Sequence, residues 1–314
     1  MITTDVDFLR KNSKKRTNCL MCLSSDINEF LQKKLSYISL EGGLSSCGNC
    51  GFVFSSDYFV PDATVKFYER KYIEGNYRSY SEYREMKKEN FRTLLEVILR
   101  QIKINMPTFN SKNCKMLDLG CGEGFSTIEG SKLGLKTTGV DISVEAISIA
   151  DRKYGSMFFS SPLEKIDCLN LPKDFDLITL FDVLDHVYDP SKVIELTSSH
   201  IKKNGFLFVD VCNFNSLYRY IMGKSYVHII PYEHLSYFSK KTLKRLLEKN
   251  GFKIIFLKNH PRKINFNFLT MTLKTFNPIL GKFFSFVGKL LPDKLKEKNI
   301  SFPIGLISIM AQKK

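Results

Sequence analysis

The sequence predicts an α/β, doubly wound domain, preceded by a small four-cysteine module and broken near its end by a helical insert. Three observations carry this. From Met116 onward, short apolar runs alternate with helical stretches, the rhythm of βαβ units. The first run opens into a loop with glycine at every second position, Gly120, Gly122 and Gly124. Ahead of both stand two Cys-x-x-Cys pairs, Cys19/Cys22 and Cys47/Cys50, separated by 24 residues.

Taken in order, residues 1–16 read as a flexible basic leader that includes Lys14-Lys15-Arg16. With the cysteine pairs they make a first unit, 1–56. Residues 57–110 read as a mostly helical linker or lid. Phe91, Leu94, Leu95, Ile98, Leu99 and Ile102 recur there on one helical face, and Pro107 closes the region. Tyr58, Tyr68, Tyr72, Tyr77, Tyr80 and Tyr83 crowd the same region. Tyrosine is amphipathic and suits either an acceptor pocket or packing between domains. The main domain, 111–314, has strand candidates at 116–119, 137–140, 157–159, 175–181, 206–211, 252–257 and 304–311. Helices fill 124–133, 143–153, 191–203 and 240–249. Gly205 and Gly251 each follow an Asn, as in a left-handed helix cap before a strand.

The insert, 264–298, is rich in Phe and Leu, with Lys274, Lys282 and Lys289 recurring within about 80° on a helix, interrupted at Pro278. Such a surface suits a lid over the acceptor, a dimer contact or an anionic membrane, the last through 264–292.

The 314 residues fit roughly two domains at about 150 residues each. An apolar share of 43% and a charged share of 25% exclude a disordered or collagen-like chain. No apolar run reaches the ~18 residues of a spanning helix, and the first ten residues lack the apolar stretch of a secretory signal. A cytoplasmic location is expected, with reduced or metal-bound thiols rather than disulfides. Cys114, Cys168 and Cys212 read as core residues. The net charge is +15, yet residues 112–215 hold 11 Lys/Arg against 15 Asp/Glu, while 253–314 hold 12 against 2. The positive charge lies around the glycine-loop region, where it serves an anionic acceptor, a membrane or simply a solvated surface.

The glycine loop carries the chemistry. Leu117-Asp118-Leu119-Gly120-Cys121-Gly122-Glu123-Gly124-Phe125 ends a strand and opens a helix, and its glycines admit positive φ and close approach of a ligand. The final spacing is tighter than the dinucleotide fingerprint. Asp141 ends the second strand, where an acid can accept from ribose hydroxyls. The run Phe175 to His186 is a buried strand delivering polar residues to a crevice.

With these motifs in order, the sequence resembles the class I S-adenosylmethionine (SAM)-dependent methyltransferases over about 112–258 plus a last strand. It is most similar to their ubiquinone-biosynthesis-like subgroup, through 117–124, Val183-Leu184-Asp185-His186 and His234-Leu235-Ser236-Tyr237-Phe238-Ser239. The resemblance implies a Rossmann-like seven-stranded sheet and SAM as cofactor. It implies that Asp118 organises the loop near the SAM ammonium. Gly120, Cys121, Gly122, Gly124 and Phe125 then face SAM's methionine part, Asp141 the ribose, Ile142 the adenine, and Phe181 and Asp182 the sulfonium end. The family's acid after strand three is missing, which leaves Ser161 or a backbone group for the adenine. The four cysteines match a zinc ribbon-like module with a structural Zn2+, a redox pair or an iron–sulfur centre being the alternatives.

Methyl transfer needs a positioned acceptor and, where the acceptor is a hydroxyl, a base. His186 and His234 are the candidates, with Asp185 orienting a ring. Asn213 could touch the acceptor. His228 and His260 read as surface or loop residues, and His200 as a helix-end cation. The expected activity is methylation of a small, possibly anionic acceptor such as a sugar, nucleotide-sugar or phosphorylated metabolite, as in carbohydrate biosynthesis. A quinone or polyprenyl lipid is the alternative. An RNA substrate is disfavoured by the lack of aromatic single-strand motifs. Monomer and homodimer both remain open.

Overall fold

The computed structural model describes residues 3–35, 40–73, 83–276 and 278–314. The N-terminal unit comprises α1 (Thr3–Lys11), β1 (Ser13–Lys15), β2 (Ile27–Leu35), β3 (Leu40–Cys47), β4 (Val53–Ser55) and β5 (Asp57–Phe59). The leader is therefore ordered where flexibility was expected. β1 pairs antiparallel with β5, and Leu9 is buried with Leu35, Leu40, Phe59 and Tyr232. This pairing also carries the first unit past residue 56.

Helices α2 (Pro61–Ile73) and α3 (Arg84–Asn105) follow. The α3 stripe buries Leu94, Leu95, Ile98 and Ile102. The main domain then runs β6 (Lys115–Leu119), α4 (Phe125–Lys132), β7 (Lys136–Asp141), α5 (Val144–Tyr154), β8 (Phe158–Ser160), β9 (Phe175–Phe181), α6 (Pro190–His200), β10 (Ile201–Cys212), α7 (Leu217–Met222), β11 (Ser236–Tyr237), α8 (Lys240–Lys249) and β12 (Phe252–Asn259). After it come β13 (Arg262–Ile264), α9 (Phe266–Phe276), α10 (Pro278–Leu290), α11 (Asp293–Glu297), β14 (Ile300–Phe302) and β15 (Leu306–Lys313).

The seven-stranded sheet has the order β12-β15-β10-β9-β6-β7-β8. All pairs from β10 to β8 are parallel, and β15 lies antiparallel between β10 and β12. The chain leaves β6 toward β7 and β8, then returns to β9 on β6's other side. That reversal opens a crevice at the carboxyl ends of β6 and β9.

Alternation along the strands fills both faces. Leu207, Val209 and Val211 join Ile194 of α6 and Leu243, Leu246 and Leu247 of α8. Phe206 and Phe208 pack with Leu94, Leu95 and Ile98 of α3. Each such burial contributes about 1.5–3 kcal/mol. Helix starts follow their caps: Ser143 accepts from Ala146 N–H at 3.2 Å, Asp189 from Lys192 N–H at 2.9 Å, and Ser239 forms a capping box with Thr242. Gly251 is left-handed as expected, at φ 83°, but within β10 it is Asn204, at φ 64°, rather than Gly205 that takes the positive φ, at the break in the strand's pairing with β9. The strand begins at Ile201, so α6 stops three residues early.

A second sheet, β11-β4-β3-β2, joins the N-terminal unit to the main domain, because β11 comes from residues 236–237. The insert is closed at its base by the β13–β14 ribbon. Its helices α9 and α10 fold back on each other: a Cβ on Gly281 would sit 2.5 Å from Lys274 Cα, so the backbones touch there. The lysine stripe drawn on one helix is thus divided, with Lys274 on α9 and Lys282 and Lys289 on α10.

Candidate active site

The crevice deepens into a cavity of about 590 Å³, within the range of ligand sites. Gly120, Cys121, Gly122, Glu123, Phe125, Asp141, Ile142, Phe181 and Asp182 line one side. Gly120 has φ +77°, and a Cβ there would lie 2.2 Å from Val183 Cγ2. Any side chain would push apart the loops after β6 and β9. Gly124 is needed for a different reason: a Cβ would meet the Phe158 ring at 2.7 Å, away from the cavity.

Asp118 does not face the cavity. It is 1% exposed, and its carboxylate accepts from Ser126, from Thr127 at 2.8 Å and from Thr179 at 2.8 Å. It organises the loop from within the fold, so the expected place near the SAM ammonium is corrected. Burial raises its pKa against those hydrogen bonds. Asp141 does line the cavity. Its oxygens accept from Gly122 N–H at 2.8 Å and Ser143 N–H at 2.9 Å, which joins the glycine loop to the start of α5 and leaves acceptor capacity for a ligand. Ser161 is turned away, with its hydroxyl on the Pro162 carbonyl at 3.0 Å. The wall there is Pro162, Leu163 and Glu164. Asp182 opens into the cavity at φ 55°, and desolvation within the cleft raises its pKa.

Asp185, His186, His228 and His234 also line the cavity. The Asp185 carboxylate is 1% exposed and stands 3.6 Å from His234 Nδ1 and 3.9 Å from His186 Nε2. Neither oxygen has a hydrogen-bond partner among the described residues. The His186 and His234 rings are 4.4 Å apart. The Tyr68 hydroxyl lies 3.0 Å from His186 Nδ1, which gives one of the crowded tyrosines a place at the site. Tyr58 instead stacks with Arg16 and Tyr188. Tyr83 packs on Phe268. Tyr77, Tyr80 and the Tyr72 side chain lie outside the described residues.

Three residues of the cavity escaped the sequence reading. His228, taken for a surface residue, packs 5.8 Å from His234, and burial pulls its pKa down to about 4. Lys87 lines the cavity with a pKa pulled down to about 8 by desolvation, against attraction from Asp182 and Glu123. It lies one helical turn before Phe91, a lysine on an otherwise apolar stripe, and that was its only signal. Arg262, on β13, forms part of the wall. His260, His200 and Asn213 stand outside the cavity. His200 is buried with Nδ1 on the Leu196 carbonyl rather than capping a helix in solvent, and Asn213 takes Asn215 N–H at 3.0 Å. Of the three cysteines read as core, Cys114 is buried, Cys212 lines the cavity and Cys168 is exposed.

The four paired cysteines converge. Cys19 and Cys50 sulfurs are 3.5 Å apart, as are those of Cys22 and Cys47, and all four lie within 4.8 Å. A tetrahedral zinc with Zn–S of about 2.3 Å needs sulfurs about 3.8 Å apart, so the donors fit one. Met21 and Cys50 N–H groups reach sulfurs at 3.3 and 3.5 Å. Gly51 supplies the positive φ of the second knuckle, and in the first, which has no glycine, Leu23 takes φ 61°.

Residues 84–257 match the family model described as a methyltransferase domain. Curated relatives include the ubiquinone biosynthesis O-methyltransferases of Colwellia psychrerythraea (27% identical over 176 residues, 51% of this chain and 71% of the relative) and Coxiella burnetii (30% over 168 residues, 50% and 72%). That of Paraburkholderia phymatum is 34% identical over 119 residues, 36% and 51%. The chain thus spans between about half and seven-tenths of the length of these relatives. A solved SAM-dependent methyltransferase from Thermotoga maritima aligns with a TM-score of 0.48 at 18% identity, covering 78% of this chain and 100% of that one.

The depressed His228 pKa sets a pH dependence. Below pH 6.5 the unfolded chain takes up a proton that the folded chain refuses until about 4. Stability therefore falls as pH drops from 6.5 toward 4. His228→Asn flattens that fall in thermal melts recorded across the interval, and an unchanged slope contradicts it.

Proposed function

The chain belongs to the methyltransferase domain family of SAM-dependent enzymes, and on that premise we propose that it transfers a methyl group to a hydroxyl of a small acceptor. The supporting observation is the buried Asp185 carboxylate between two imidazoles in the cavity that the glycine loop also lines. SAM supplies an activated methyl on a sulfonium. The loop Gly120 to Glu123, with Phe125, Asp141, Ile142, Phe181 and Asp182, would hold it.

The surroundings of the two histidines favour His234 as the base. The Tyr68 hydroxyl lies 3.0 Å from His186 Nδ1, and the Asp185 carboxylate stands farther from His186 Nε2, at 3.9 Å. His234 turns Nδ1 to Asp185. A carboxylate there favours the Nδ1–H tautomer and stabilises the imidazolium, which makes Nε2 the base for the acceptor proton. His186 and Tyr68 hold Asp185 in place. The acceptor hydroxyl loses its proton to His234 as its oxygen bonds the methyl carbon, and the sulfur keeps the electron pair of the broken bond.

The ubiquinone-biosynthesis relatives favour a phenolic hydroxyl of the quinone type over a sugar or nucleotide-sugar hydroxyl. Apolar lining from Val65, Met86, Phe91, Phe268 and Leu306 supports the same choice. A membrane-borne acceptor has its own support. On α10, Ile279, Phe283, Phe286 and Leu290 are 81%, 59%, 62% and 73% exposed on one face, and Lys282 and Lys289 flank it. That is an apolar face edged with cations, suited to an anionic bilayer surface. No described helix is long and apolar enough to cross a membrane. The four thiolates would hold a structural zinc, since four cysteines close the coordination shell.

Incubation with methyl-labelled SAM and cell extract is expected to label a solvent-extractable phenol. Label in the water-soluble fraction favours the sugar reading, and no label on any small molecule overturns both. His234→Ala lowers kcat by about 10²–10⁴-fold with S-adenosylhomocysteine binding intact. The purified protein is expected to carry one zinc per chain, lost together with thermal stability in Cys47→Ser; metal-free protein of unchanged Tm contradicts the zinc. Flotation with phosphatidylglycerol vesicles tests the α10 face: it should occur for the native chain and be lost in Phe283→Asp/Phe286→Asp. A native chain that stays at the bottom of the gradient sinks the membrane contact.

A further inference from the structure

We propose that Arg262 binds an anionic group of the acceptor, a carboxylate or a phosphate, so that the substrate is a hydroxylated acid or phosphate ester rather than a neutral phenol. This rests on the methyl-transfer reading and narrows it.

Arg262 is 7% exposed, on the short strand β13 at the base of the insert. One arm of its guanidinium is fixed: Nη2 donates to Asp210 Oδ2, and Asp210, itself fully buried on β10, also accepts from Ser308 of β15 at 2.5 Å. The other arm is not used within the fold. Nη1 is buried, has no hydrogen-bond partner among the described residues, and belongs to a side chain that lines the cavity. A buried charged donor left without an acceptor is costlier than a neutral one. A guanidinium held by a buried carboxylate on one edge presents a rigid pair of donors on the other, the geometry that suits a carboxylate or phosphate.

The neighbours agree. Lys87 lines the same cavity and is attracted to Asp182, as is Arg262. Lys263, next along β13, is committed to Glu89 at 2.7 Å, so Arg262 rather than Lys263 is the cation available to a ligand. Asn90, on α3 beside the same wall, is spent on the Lys263 backbone at 2.7 and 2.9 Å and so holds β13 in place.

The test is titration calorimetry on the full-length protein loaded with S-adenosylhomocysteine, using benzoate, phenyl phosphate and neutral benzyl alcohol as probes. One of the anions is expected to bind about tenfold or more tightly than benzyl alcohol, and which one tells carboxylate from phosphate. Arg262→Gln is expected to abolish that preference while the S-adenosylhomocysteine Kd stays within about twofold. Removing the arginine alone strands Asp210, so the double variant Arg262→Leu/Asp210→Leu is the paired control for folding. Equal binding of anionic and neutral probes by the native chain, absence of anion binding, or a preference retained in both variants overturns the proposal. A tenfold loss of S-adenosylhomocysteine affinity in Arg262→Gln also overturns it, by assigning Arg262 to the cofactor. Failure of the methyl-transfer reading shows separately, as a native chain that binds no S-adenosylhomocysteine at all.

Discussion

Asp185 holds the site together through both its main chain and its side chain. Its carbonyl oxygen accepts from Leu235 N–H at 2.7 Å and Ser236 N–H at 3.0 Å, which ties the loop after β9 to the segment carrying His234. Its carboxylate lies between the two imidazoles that these segments supply. One residue therefore sets both the spacing of the loops and the electrostatics between them. A buried carboxylate favours a positively charged neighbour, and the groups beside it here are the two imidazoles.

The N-terminal unit is part of the same device. β11, directly after His234, completes the sheet of β2, β3 and β4, and Ser55 N–H donates to the Leu235 carbonyl at 3.0 Å. Cys19, Cys47, Phe52 and Phe54 share one core with Leu184, Val187 and Phe238. Arg16 adds a clamp on the far side of the β9 loop, with its guanidinium over the Tyr58 and Tyr188 rings and Nη2 on the Tyr188 carbonyl at 3.1 Å. The cysteine module thus braces the histidine segment from outside the cavity, through backbone hydrogen bonds and a shared apolar core.

The charge distribution follows this division of labour. The region around the glycine loop is acidic, and two of its carboxylates, Asp118 and Asp141, turn inward onto Ser, Thr and backbone N–H groups. The basic excess of residues 253–314 is split between the cavity wall, where Arg262 is buried, and the outer face of α10, where lysines flank exposed Phe and Leu. The same segment can therefore meet both an acceptor and a surface without the two demands competing for the same side chains.

The seven strands, the glycine loop, the Asp141 position and the paired cysteines were legible in the sequence. Each rests on near-neighbour patterning: alternation every second residue, a helical stripe, a glycine where φ must be positive, or two thiols three apart. What the sequence left open depends on contacts between residues far apart in the chain. His228 reads as a loop residue until β10 and the loop after β9 close around it, and Arg262 carries no sequence signal until the fold buries it against Asp210 beside the cavity. The inward turn of Asp118 depends on Thr179, and the hydrogen bond at His186 Nδ1 depends on Tyr68. Local sequence determined which elements form and where the cofactor loop lies. Only tertiary packing decided which polar groups lose water, and that loss is what makes some of them functional.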